Sequence, residues 1–348
     1  MTGPVAVDPS VFSAASLVMG QRVAGQLAQA AAGLGRGLAG AGAMAGSDPG
    51  GGQWATSYDQ VAAVTAGAVA DLANACHQIG ALLEQTGFNH ASAEVSSDPS
   101  HAAPGSPDVT NYGAVPSVAA PTPPSANGGS SDPPHGWSLI ESVVGYVWPN
   151  GDPGRLRDAG RAWTACANAL RGAAGGVPEA VTAIQSQRSP EVTDAVAVCQ
   201  AMGQHINDVA GGCDDLATGC HDYAEHLDKA HHDIIKELEE LVAWTVAIEA
   251  AGAAASFFSF GAAEVPTQIA EGGRIAATAA EVGGIISRLI DFAGTVSRTV
   301  ASIAERIGQI AQRVKAILGA RLSKATTEEA DSLPAQGHGK VVMRFEAV

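Results

Sequence analysis

The densest run of groups able to hold a metal or move a proton is "CHDYAEHLDKAHHD", residues 220–233. It supplies His221, Glu225, His226, Asp228, His231 and His232. Imidazole and carboxylate are common zinc ligands. The spacing restricts that chemistry. On one straight helix His221 and His232 stand about 16 Å apart, at 1.5 Å per residue. One ion, about 2 Å from each ligand, cannot join them. Only pairs four apart act together, His221 with Glu225 or Asp228 with His232, and a third ligand must come from another element. The metal candidates are therefore His221, Glu225 and His232. The competing readings are a solvated or ion-pairing helix face and an imidazole pH sensor.

Other chemistry is sparse. The five cysteines, Cys76, Cys166, Cys199, Cys213 and Cys220, contain no C-x-x-C pair, which removes zinc-ribbon and thioredoxin-type readings. "GRGLAG" at 35–40 matches G-x-G-x-x-G in letters only. A helical pattern precedes it and a Gly-rich turn follows, whereas a dinucleotide fingerprint needs a strand before and a helix after. There is no P-loop, G-x-S-x-G or H-E-x-x-H, and no spacing brings a nucleophile to a base. The reading is of no catalytic residue and no cofactor. A net charge of −16 excludes a general nucleic-acid binder, which needs basic surface to displace counterions.

The elements that must position these groups read as helices, because the chain is Ala-rich and lacks β-branched alternation. Residues 8–45 are expected as one helix, capped by Asp8 with Pro9 in its first turn. Its apolar stripe is Phe12, Met19, Val23, Leu27, Leu34 and Leu38. The Gly run 46–52 breaks it. A second helix is expected from near Trp54, with Tyr58, Val61, Ala68, Leu72, Ile79 and Leu83 on one side. The two make an antiparallel hairpin over 1–93 that needs another helical pair to cover it, in this chain or in a partner. Residues 94–136 are Pro-, Ser- and Gly-rich and are expected as a disordered linker.

A second, helical module is expected over 137–324. Asp152 and Pro153 start a helix that turns Leu156, Ala159, Trp163, Cys166 and Leu170 inward. A longer helix runs from Pro190 towards Ala250 with the stripe Cys213, Leu216, Cys220, Tyr223, Leu227, Ala230 and Ile234. Folding this hairpin about residue 188 brings Cys166 beside 209–213. Cys166 and Cys213 are then either a disulfide or two free buried thiols. Cys213 and Cys220, about 10 Å apart along one helix, cannot bridge. Residues 242–262 are apolar apart from Glu249; they read as a buried core helix or as a membrane-inserting element. The last helix carries a four-three seam through Val296, Val300, Ile303, Ile307, Ile310, Val314 and Ile317, which needs a partner helix. From 285 to 324 there are seven Lys/Arg against two acids, and from 213 to 240 nine acids against two Lys. These two stretches either lie side by side or present separate solvated faces. Residues 325–348 read as a polar tail, briefly strand-like at 341–345. The fold class is all-α: antiparallel hairpins and a long helical bundle, as two modules joined by a linker.

Two motifs carry a resemblance. "MAGSDPGGGQWATSYD" between long helices resembles the turn of WXG-type helical hairpins in actinobacterial type VII secretion substrates, with Trp54 at the turn tryptophan and Thr56 where that family has glycine. "GWSLIESVVGYVWPNGDPGRLRDAGRAW" is similar to the N-terminal helical domains of mycobacterial channel-forming and other polymorphic toxins. Trp137, Trp148, Pro149, Gly151, Asp152, Pro153, Leu156 and Trp163 carry that match, which covers 137 to about 320. The resemblance implies a non-catalytic secretion, delivery or assembly module without the toxin domain, which would be lost or separately encoded. It implies other helical WXG-type proteins or the secretion machinery as partners, an oligomer among the outcomes, and a secreted or cell-envelope location with a cytoplasmic alternative. No secretory signal peptide is read, because Asp8 precedes the first basic residue, Arg22. The family's export signal, Tyr with an acid four residues on, is not found: Tyr58, Tyr112, Tyr146 and Tyr223 lead to Ala62, Pro116, Asn150 and Leu227. A partner would then bring the signal. The alternatives are a membrane pore built on 242–262 and the following helices and, more weakly, a metal-binding protein at 221–232.

Overall fold

The computed structural model describes residues 6–98, 100, 117–256 and 264–319, with side chains except at 248–256, 264–271, 318 and 319. Among the described residues there is no strand, only isolated bridges, and the fold is all-α. The polar tail, and most of 242–262, lie outside the described side chains. Among the described residues no helix is long and apolar enough to cross a membrane.

The chain opens with α1 (Pro9–Ser16), a π-helical segment (Leu17–Val23) and α2 (Ala24–Leu38). Asp8 caps α1 by accepting the Ser10 amide, with Pro9 in the first turn. This arm differs from the straight helix expected to residue 45. Its stripe takes two successive steps of four, Met19 to Val23 to Leu27. Each step overruns an α-turn by about 40°, and the wider π turn takes up the drift. The arm stops at Leu38, where glycines 40 and 42 and a left-handed Ala43 (φ 53°) follow.

Helix α3 (Pro49–Ser97) begins five residues earlier than the sequence suggests, because Asp48 caps it through the Gly50 and Gly51 amides. An Asp-Pro start outweighs three glycines in the first turn. The second hairpin is α5 (Pro153–Ala174) and α6 (Val177–Gln185), then α7 (Val192–Ser256). Before it come a 3-10 turn (Trp137–Leu139) and α4 (Glu141–Val144). Helix α8 (Glu264–Gly319) closes the bundle.

The two modules are not separate bodies. A single apolar core runs from Phe12 to Val314 and takes side chains from both hairpins. Helix α2 lies on α5, and α8 fills the seam between α3 and α7. Val300, Ile303, Ile307, Ile310 and Val314 are buried there, and Val296 and Ile317 pack at its edge. The basic and acidic helices do lie side by side. Arg306 pairs with Asp215, and Arg274 reaches Glu240 at 3.8 Å. Both pairs are solvent-exposed, so each adds only about 0–1 kcal/mol. Close approach comes from glycine: a side chain at Gly212 would meet Ile307 Cδ1 at 2.6 Å. A second core, built on Trp137, Ile140, Val144, Trp148, Leu238 and Ile286, holds the far half of the α7–α8 pair.

Part of the expected linker also departs from expectation. Residues 117–128 lie as an extended strap on the first hairpin. Asn74 donates to the Val118 carbonyl (3.1 Å) and accepts its amide (2.8 Å). Asp59 accepts the Ser125 hydroxyl (2.6 Å) and the Ala126 amide (2.8 Å). Polar, Pro-rich composition signals that a segment has no core of its own; it does not register side chains elsewhere that capture its backbone. The preceding residues 101–116 lie outside those described.

Candidate functional site

Part of the signature, Trp54 with Gly151, Asp152 and Trp163, converges where three turns meet. Trp54 stacks between Tyr58 (ring centroids 4.9 Å apart) and Tyr223 (5.0 Å). Tyr58 is one turn along α3, and Tyr223 comes from α7. The Trp163 indole of α5 donates to the Tyr58 hydroxyl at 2.9 Å, and the Tyr223 hydroxyl donates to the Ala45 carbonyl at 3.1 Å. All four rings are essentially sealed from water. Burial pushes both phenols well above their ordinary range, so both stay neutral and Tyr223 keeps the proton that it donates to Ala45.

Main-chain bonds then lock the turns. The Asp152 amide donates to the Met44 carbonyl (2.8 Å), and the Arg155 guanidinium to the Gly42 carbonyl (3.0 Å). The Ser47 amide donates to Asn150 Oδ1 (2.8 Å). The strap joins through Ala43 to Ser125, Ala45 to Ala126, and a reciprocal Gly46–Gly128 pair. Gly46 (φ 102°) and Gly128 (φ 109°) need the left-handed region that glycine allows. At Gly151 a Cβ would stand 2.7 Å from the Ala45 carbonyl oxygen. Asp48 and Asp152 cap α3 and α5 in the same way, each by accepting two amides of the first turn.

The structure thus places Trp54, Leu156 and Trp163 in the main core and Gly151, Asp152 and Pro153 at its entrance. Trp137 and Trp148 sit apart, in the second core, edge to face at 5.8 Å. Trp148 donates to the Ser131 hydroxyl (3.2 Å) and stacks on His231 (4.6 Å), whose Nε2 lies 2.6 Å from the Pro149 carbonyl oxygen. Sequence reasoning did not single out Asp48, Asp59, Asn74 or Tyr58 as joining residues. The signal was present for two of them: Asp48-Pro49 repeats Asp152-Pro153, and Tyr58 is one helical turn from Trp54.

The metal candidates are not brought together. His221 lies over Gly160 of α5, while Glu225 and His232 face solvent. Of the intervening histidines, His226 stacks on Phe292 of α8 and His231 is occupied as above. Among the described residues no group of three or more His, Cys, Asp or Glu is placed to hold a metal. All five cysteines are buried free thiols, and Cys166 and Cys213 are neighbours across α5 and α7.

Residues 129–272 match the model of the WXG100 like domain. The chain is 31% identical over 255 residues to the outer membrane channel protein CpnT of Mycobacterium tuberculosis and of Mycobacterium bovis, covering 68% of this chain and 28% of that protein. It is 37% identical over 196 residues to the putative NAD(+)–arginine ADP-ribosyltransferase Mav of Mycobacterium avium, covering 54% of this chain and 22% of that protein. The chain therefore spans less than a third of the length of these relatives. No solved structure matches. Residues 129–272 thus carry a WXG100-like domain, and the chain is similar to the matched regions of these mycobacterial proteins.

Proposed function

We propose that the chain acts as a non-catalytic delivery or assembly module of type VII secretion. One observation carries this reading. The chain is similar to two proteins whose names differ in activity, a channel protein and a putative ADP-ribosyltransferase, and matches under a third of each. The two alignments take 68% and 54% of this chain, so they overlap. A region common to proteins of such different names fits a step that precedes either activity. The packing supports it: Trp54 and Trp163 are spent on joining two hairpins and Trp137 and Trp148 on the second core, all four buried. Each hairpin covers the face the other would expose, which leaves outer helix faces for helical WXG-type partners, the secretion machinery or a separately encoded toxin. The location that follows is secreted or cell-envelope. Quantitative proteomics of culture filtrate, with and without a functional type VII system, tests the reading. Loss of the protein from the filtrate in the deficient strain supports it; equal amounts in both strains, or wholly cytosolic protein, sinks it.

A second reading, membrane insertion, is favoured by the apolar stretch 242–262 and by the channel in the name of the relative CpnT. Dye release from liposomes separates it from the first: leakage on addition of the purified chain favours insertion, and intact vesicles with all protein in the supernatant remove it.

A further inference from the structure

Helices α5 and α7 run antiparallel, and their register is pinned along its length. Arg157 pairs with Asp228 at 2.7 Å, His221 packs over Gly160, and Arg171 pairs with Asp214. At the Arg171–Asp214 end this register sets Cys166 near Cys213. Both are buried free thiols, and the Cys166 thiol is a neighbour of Cys213. The two differ in access. Cys213 is fully enclosed, whereas Cys166, 4% exposed, lines a surface groove between α2 and α5. The groove is also walled by Gln26, Gln29, Gly33, Ala162 and Ala169, all small or flexible side chains. Cys76, Cys199 and Cys220 lie in the sealed core.

We propose that Cys166 and Cys213 form an oxidative cross-linking site, at which a disulfide-bearing oxidant closes an intramolecular disulfide. The inference rests on the proposed export only for where such an oxidant is met. The Cys166 thiolate attacks one sulfur of the oxidant's disulfide through the groove and expels the other sulfur as a thiolate, which takes up a proton. Cys213 then loses its proton and attacks the Cys166 sulfur, releasing the oxidant's second thiol. Two electrons and two protons pass from the pair to the oxidant, whose disulfide becomes two thiols. The adjacent Cys166 thiol and burial hold Cys213 protonated, so Cys213 is not the thiol that meets the oxidant first. The bridge encloses roughly 47 residues, including all of α6, so it narrows the unfolded ensemble of the hairpin that carries Trp163 and Tyr223.

The test uses the purified full chain, first reduced and then equilibrated in an oxidising glutathione buffer. Free thiols are alkylated in denaturant and the digest is read by mass spectrometry without reduction. The expected product links the Cys166 and Cys213 peptides and leaves Cys76, Cys199 and Cys220 alkylated. The melting midpoint should rise by several degrees on oxidation, and Cys166→Ala and Cys213→Ala should each abolish that rise. Recovery of both cysteines as alkylated thiols, a Cys166 adduct that stops at glutathione, or bridges to other cysteines would overturn the proposal. The peptide assay on the unaltered protein needs no variant to fold. A bridge in a protein that is never exported defeats only the secretion reading; export without a bridge defeats only this one.

Discussion

The bond between Trp163 and Tyr58 ties α5 to α3, and Tyr58→Phe tests whether it matters. The hydroxyl accepts the Trp163 N–H at 2.9 Å, with both rings sealed from water. Removing it keeps the Tyr58 ring stacked on Trp54 but leaves a buried indole N–H without an acceptor. That orphan costs about 1–3 kcal/mol. The Cys220 thiol, which also contacts the hydroxyl, loses its partner too, so about 2–3 kcal/mol is expected in all. Trp163→Phe costs volume as well as the bond, and a double-mutant cycle cancels the volume part. With both residues Phe no indole N–H is left without an acceptor, so the pair should be less destabilised than the sum of the singles by about 1–2 kcal/mol. Urea unfolding followed by far-UV circular dichroism measures all four proteins. A Tyr58→Phe protein within about 0.5 kcal/mol of wild type, or a cycle additive to within about 0.5 kcal/mol, would refute the account of this contact.

Glycine substitutions should separate backbone obstruction from side-chain crowding. At Gly151 a methyl meets the Ala45 carbonyl oxygen at 2.7 Å, and Gly151→Ala should cost about 1–3 kcal/mol in a melting experiment. At Gly160 it meets only the swinging ring of His221, so Gly160→Ala should be neutral or gain up to about 1 kcal/mol of helix propensity. For pH, burial lowers the His231 pKa, opposed without reversal by its Pro149 contact and by Asp228, Asp48 and Asp152. The unfolded chain then binds the extra proton first. Stability should be level above the ordinary value of 6.5 and fall as pH drops from there to the lowered folded value. Denaturation midpoints from pH 7.5 to 5 should show a shallower fall in His231→Phe. Asn74→Ala removes both bonds to Val118 and should speed hydrogen exchange over 117–126 several-fold, with little change at Trp54.

Much of the helical frame was legible because it rests on local signals. Asp8-Pro9 and Asp152-Pro153 start helices where expected, and the bend near 188 falls between Gln185 and Val192. The stripe from Cys213 to Ile234 is buried throughout. That bend and stripe were enough to place Cys166 beside Cys213. The joining of the modules was not legible, since it depends on groups far apart in sequence. Asn74 reaches Val118, and Arg155 reaches the Gly42 carbonyl, only because both hairpins fold onto each other. The Ile/Val seam of α8 announced a partner helix but not that it would have two, α3 and α7. The histidines looked like ligands because their letters are ligand letters; each of His221, His226 and His231 instead fills a space left by Gly160, Phe292 or Trp148.

The π-helical segment at Leu17–Val23 amounts to a stored residue. A π turn holds one residue more than the α turn it replaces, and the packing on either side is kept: Phe12 before it and Leu27 after it both face the same core. Two chains could therefore share this hairpin's contacts while differing by one residue in its first arm. Matching relatives by residue count alone would slip every later position of α2 by about 100° around its axis, turning core positions such as Leu34 into surface ones. A comparison guided by packing opens its gap between Leu17 and Val23, and keeps Leu27, Leu34 and Leu38 aligned with the positions that bear on α3 and α5.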